Sequence, residues 1–156
     1  MLETRLSKTL ISLALCAAVF GSLTAAGVGA VLRPSSRGQG VENRFAVAGV
    51  DDPRQVEEFL SELKDAVERD ERARVASLVS FPMRLNSARR KALVRSRRDF
   101  LRRYESIFTH EIKQVLKGQR ESELFVNSEG VMVGAGEIWF APVGRDGRLK
   151  IVTVNN

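Results

Sequence analysis

Glu137 and Tyr104 are the side chains with which this chain could move a proton, because histidine and cysteine are almost missing. His110 is the only histidine and Cys16 the only cysteine among 156 residues. A lone imidazole with no second histidine, retained thiol or suitably spaced carboxylate makes neither a metal site nor an activated nucleophile. His110 follows Thr109 at an expected helix start, where it reads as a solvated or capping residue. No metal and no cofactor is expected, and no residue is assigned as catalytic. Gly130, Gly134 and Gly136 lack the following Gly-Lys-Ser/Thr of a phosphate loop, and fit turns or strand curvature.

Glu137 lies within Gly136-Glu137-Ile138-Trp139-Phe140. In a strand, alternation would put Glu137 and Trp139 on one face and Ile138 on the other. If the Trp139 face points inward, Glu137 is a buried carboxylate that must be paired, hydrogen-bonded or protonated. Arg84 is then the expected partner. Three outcomes stay open for Glu137: a structural ion pair, a solvent-facing position, or a pocket acid or base. Arg84, Tyr104, Glu137 and Trp139 together form the candidate ligand pocket, although Tyr104 and Trp139 also read as core aromatics that aim one polar atom at a partner.

The second candidate is electrostatic. Arg84 to Arg103 holds nine cations against Asp99 alone, whereas Asp51 to Glu71 holds nine carboxylates against three cations. The two segments could be solvated helix faces that partly neutralise each other, with exposed pairs worth about 0–1 kcal/mol each. Alternatively the basic segment is an anion-binding surface, for which Arg89, Arg90, Lys91, Arg95, Arg97 and Arg98 are the candidates. Cations from Arg95 to Arg98 would sit at the positive end of a helix, which is electrostatically unfavourable. Nucleic acid is disfavoured as the partner despite a net charge of +6, because the segment lacks the interleaved aromatics of a stacking platform.

These residues need a scaffold, and the composition supplies one: 44% hydrophobic and 28% charged residues describe a globular chain, not a disordered one. Asp52-Pro53 starts a helix. Val56, Phe59, Leu60, Leu63 and Val67 recur at steps of three and four, predicting a helix to about Arg69. Asp70 is expected to cap a second helix carrying Val75, Leu78 and Val79, ended by Phe81-Pro82. Met83 to Asn86 reads as a short strand. Ser96 and Asp99 form a capping box before the stripe Phe100, Tyr104, Ile107 and Phe108. Thr109 and Glu111 open a further helical stretch with Ile112, Val115 and Leu116, and Gly118 stops it. From Leu124 onward the chain changes to short Val-, Ile- and Phe-rich runs broken by turn residues, predicting an antiparallel meander. The expected fold is α+β, with N-terminal helices packed on a curved antiparallel sheet of three to four strands.

The N-terminus suggests export. Met1 to Lys8 is weakly positive, Thr9 to Leu23 is apolar, and small residues crowd Thr24 to Ala30 in the manner of a signal peptide. Cleavage is expected after Ala30 or after Ala26; an uncleaved inner-membrane anchor over residues 9–30 is the alternative. Leu15 before Cys16 speaks against a lipoprotein signal. A signal peptide over 1–30, a flexible linker over 31–50 and a single domain over 51–156 make up the expected organisation. The exported product would be periplasmic or secreted and would have no thiol.

Three strings carry a resemblance: Ser80-Phe81-Pro82-Met83-Arg84-Leu85-Asn86; Phe100-x-x-x-Tyr104-x-x-Ile107-Phe108-Thr109; and Leu124-Phe125-Val126-Asn127 with Gly130-Val131-Met132-Val133-Gly134-x-Gly136-Glu137-Ile138-Trp139-Phe140. Over residues 53 to 155 the chain resembles small exported bacterial proteins of unassigned activity, and in element order the nuclear transport factor 2-like (cystatin-like α+β) superfamily. That resemblance implies a cone-shaped fold with a pocket between sheet and helices. The superfamily includes isomerases, dehydratases, ligand carriers and structural modules, so it leaves the activity open. Its enzymes commonly place Asp, His or Tyr in the pocket, and no such set carries over to positions of this chain.

The expected function is an exported, non-enzymatic binding module of the bacterial envelope that holds a protein or small ligand, its basic segment docking to an anionic envelope surface. The alternatives are a pocket enzyme of isomerase or lyase type using Glu137 and Tyr104, and an envelope stress or immunity-type inhibitor.

Overall fold

A computed structural model describes residues 42–88 and 90–156. The expected leader, most of the linker and Arg89 lie outside the described residues.

Packing begins before Asp51. The Asn43 side chain accepts from the Phe45 amide and donates to the carbonyls of Val50 and Asp51 at 2.7 and 2.9 Å. It thereby ties a 3-10 turn, Arg44–Ala48, whose Phe45 is buried together with Val50. Two apolar anchors five residues apart in so short a turn give no period, which is why composition assigns this stretch to a linker.

The apolar stripe builds helix α1 (Arg54–Glu68), with Val56, Phe59, Leu60, Leu63 and Val67 all buried. The Asp52 carboxylate accepts from the Arg54 amide at 3.0 Å. Helix α2 (Arg72–Ser77) is short and buries Val75 and Ala76. Strand β1 (Val79–Ser87) and strand β2 (Arg90–Val94) then form an antiparallel hairpin. Ser96 caps helix α3 (Arg97–Ile107) by accepting from the Asp99 amide, and Thr109 caps helix α4 (His110–Gly118) by accepting from the Ile112 amide. Strands β3 (Phe125–Asn127), β4 (Gly130–Val133), β5 (Ile138–Val143) and β6 (Arg148–Asn155) complete the chain.

The protein is α+β, as expected, with four α-helices and one six-stranded sheet in the order β2-β1-β6-β5-β4-β3 among the described residues. The sheet differs from the three to four antiparallel strands expected: it has six, and β1 runs parallel to β6. β2 is hidden in the sequence because it opens on two exposed cations, Arg90 and Lys91, and only Ala92 and Val94 alternate inward. β1 is longer than its apolar signal, since Arg84 and Asn86 occupy the face away from the core.

One face of the sheet packs on the helices. Phe59 of α1 meets Phe140 of β5 with ring centroids 4.7 Å apart. Phe100, Tyr104 and Phe108 form a cluster in which Tyr104 and Phe108 stack at 5.4 Å. Large aromatics thus pack within the interior.

Candidate functional site

The basic segment folds as the free edge of the sheet and the helix start beside it. β2 is one of the two edge strands and among the described residues pairs only with β1. Lys91 and Leu93 point to the face away from the core, opposite Asn86 and Arg84 of β1. Arg95 follows the strand, and Arg97 and Arg98 open α3. All of these are exposed, Leu93 among them at 48%. Half-buried Leu101 shares a shallow surface hollow with Arg97, Arg98 and Arg102. The edge is thus cationic with apolar side chains set into it.

The ion pairs show how the two charged segments are partnered. Acidic side chains from the Asp51–Glu71 stretch pair with Arg54, Arg72, Arg74 and Lys117, not with the basic segment. Within the basic segment, Arg102 and Arg103 share Asp99 at 3.3 and 3.6 Å. Partial burial pushes the Asp99 carboxyl up, but the two guanidiniums and a backbone hydrogen bond together outweigh it and hold the group below its ordinary value. Arg97 donates to the Ala73 carbonyl at 3.1 Å. Among the described residues no carboxylate pairs with Arg90, Lys91, Arg95 or Arg98. Among the described residues no ion pair joins the two segments.

The four pocket candidates are not brought together. Arg84 is exposed and donates through Nε to Thr153 Oγ1 at 3.2 Å, so it does not pair with Glu137. Glu137 lies in the turn before β5 and not within the strand, which removes the alternation argument for burying it. It is half-buried, and its Oε2 accepts from the Ala135 amide at 2.6 Å, closing a tight turn. It lines a surface hollow with Asn86, Thr109, Glu111 and Asn155, to which Arg84, Tyr104 and Trp139 contribute nothing. Trp139 faces away from the core, while Ile138 and Phe140 point inward.

Arg84 and Trp139 do share one row. The register runs Leu93, Arg84, Thr153, Trp139, Met132, Phe125 across all six strands. Phe125 ends it with 52% exposure. Alternation predicts such a row once pairing is known, but nothing in the sequence announces the pairing.

Tyr104 stands apart from the other three. It is 1% exposed on α3, and its hydroxyl has no hydrogen-bond partner among the described residues. Burial first, and then Asp70 and Glu105, push its pKa up to about 12 against the opposing pull of Arg72. His110 is exposed at the first position of α4. Among the described residues no group of three or more metal-ligating side chains gathers, and no helix is long and apolar enough to cross a membrane. Comparison of the chain with family models, with curated proteins and with solved structures finds no match.

Proposed function

We propose that this chain is an exported, non-enzymatic binding module of nuclear transport factor 2-like build, which docks through its basic sheet edge to anionic phospholipid at the bacterial envelope. The observation that carries the reading is the set of cations that pair with no carboxylate among the described residues, Arg90, Lys91, Arg95 and Arg98, beside exposed Leu93. Cations near an anionic bilayer contribute about 1 kcal/mol each, and an apolar side chain among them adds burial at the interface. A purely acidic protein surface would reward the charges but not Leu93. The separation of Glu137 from Tyr104 supports a binding role over the isomerase or lyase reading. The apolar leader over Thr9 to Ala30 supports export.

The test is co-sedimentation of the full chain with phosphatidylglycerol vesicles and with phosphatidylcholine vesicles across a salt series. Binding should be specific for the anionic vesicles and should weaken with salt. The combined change Arg90→Glu, Lys91→Glu, Arg95→Glu and Arg98→Glu should remove the salt-sensitive component. The leader is common to both proteins, so the difference between them reports the edge. Equal retention of the reversed protein on anionic vesicles would sink the proposal, as would salt-sensitive capture of the wild type only by an acidic protein.

A further inference from the structure

The outward row of the sheet starts at the basic edge and continues past it. Leu93 on β2 is followed by Arg84 on β1, Thr153 on β6 and Trp139 on β5, with Met132 and Phe125 beyond. Ile138 and Phe140, on the opposite face, are fully buried, whereas Leu93, Arg84 and Phe125 are exposed and Trp139 and Met132 half-buried. The row therefore mixes apolar side chains with one cation, and it holds no carboxylate. Arg84 donates from Nε to Thr153 Oγ1 at 3.2 Å and pairs with no carboxylate among the described residues. Sheets twist by about 20–25° per strand, so over the five steps from β2 to β3 the outward direction turns by roughly 100–125°. A flat surface can meet the Leu93 end of the row or the Phe125 end, but not both.

We infer that, when the chain docks to anionic lipid, the Leu93 end of this outer face lies on the bilayer and seats the Trp139 indole at headgroup level. The inference rests on the lipid-docking reading and adds to it the surface and the posture. Charge complementarity names the occupant. Phosphate supplies the anion that Arg84 lacks within the fold, and Lys91, on the same face one strand away, meets the same layer. A second copy of the chain stacked on the row would offer Arg84 no carboxylate from that row, and an uncompensated cation would be buried between them. Leu93 enters the apolar boundary, where its exposed side chain gains by leaving water. Trp139 carries an apolar body with one polar edge, the combination that prefers the membrane–water interface. Phe125 is turned away from the bilayer by the twist.

Trp139 is the only tryptophan of the chain, so its emission reports this face alone. The experiment titrates the full chain with phosphatidylglycerol vesicles and with phosphatidylcholine vesicles. Acrylamide is the aqueous quencher, and phospholipids brominated at shallow or deep acyl positions are the membrane quenchers. With phosphatidylglycerol the emission should move to shorter wavelength, acrylamide quenching should fall at least about twofold, and shallow bromines should quench more than deep ones. Phosphatidylcholine should give none of the three. Arg84→Gln should weaken binding to phosphatidylglycerol about fivefold, and Phe125→Ser should leave it unchanged. Sedimentation with phosphatidylglycerol while Trp139 stays as open to acrylamide as in solution would overturn this inference and leave edge docking standing. No sedimentation would remove both. Shielding of Trp139 that grows with protein concentration without lipid, together with a doubled mass, would assign the face to a second copy and overturn the inference. Equal losses of binding in Phe125→Ser and Leu93→Ser would overturn it as well.

Discussion

Tyr104 is the single tyrosine of the chain, so its ionisation can be followed without interference. Burial raises its folded pKa to about 12, above the value near 10 of an unfolded chain. Because the folded state holds the proton more tightly, this contribution to stability is complete below about pH 10 and is lost as pH rises through 12. Phenolate absorbance in the native protein should therefore titrate near pH 12, and thermal stability should begin to fall above about pH 10. Tyr104→Phe should flatten that fall. A native tyrosine midpoint near 10 would show that the ring is not enclosed. Glu137 makes a different kind of claim: its carboxylate closes a turn on the Ala135 amide. Glu137→Gln keeps an acceptor oxygen and should leave the melting curve nearly unchanged, whereas Glu137→Ala should cost about 1 kcal/mol in denaturant unfolding.

That turn, between β4 and β5, has a tightly set geometry. Gly134 has φ +67°, and a Cβ there would lie 2.5 Å from Val115 Cγ1 and against Glu137 Oε2. Its amide donates to Gln119 Oε1 at 2.7 Å, which fixes the turn to the end of α4. Gly134→Ala should therefore destabilise the fold by about 2 kcal/mol or more, read as a lower denaturant midpoint with an unchanged slope. The helices are far easier to read from sequence than this turn. Phe59, Leu60 and Leu63 in α1 and the Ser96 cap of α3 act through neighbours three or four residues away, and local spacing reveals such contacts. Glu137 is different, because Gly136-Glu137-Ile138 looks like strand as long as the pairing partner is unknown. β2 gives little signal because its inward residues, Ala92 and Val94, follow a pair of cations, Arg90 and Lys91, in a strand of only five residues. The candidate pocket disperses for the same reason: which of Arg84, Tyr104, Glu137 and Trp139 meet depends on strand order, a property of contacts between residues distant in the chain.

At the scale of the whole molecule, charge differs in partnership from place to place. Cations that face carboxylates include Arg54, Arg72, Arg74, Arg102, Arg103 and Lys113, whereas among the described residues Arg90, Lys91, Arg95 and Arg98, along β2 and the start of α3, pair with none, as do Lys64, Arg69, Arg84, Arg145 and Lys150 elsewhere. Charges on an edge strand also keep another strand from adding to it, so their presence alone does not require a ligand. What separates the two roles is how the energy depends on position. If the edge meets anionic lipid, each unpaired cation contributes about 1 kcal/mol and its removal weakens binding about fivefold. Lys91→Gln and Arg98→Gln should each show that loss, and the double variant about the product of the two, since separated sites add. Arg103→Gln should change binding much less, because Asp99 already accompanies its charge into the interface. Leu93→Ser should weaken binding at high salt as well as low, for burial of an apolar side chain is not screened. Equal losses from Arg103→Gln and Lys91→Gln would mean that lipid senses only net charge, and the edge would then be no docking site.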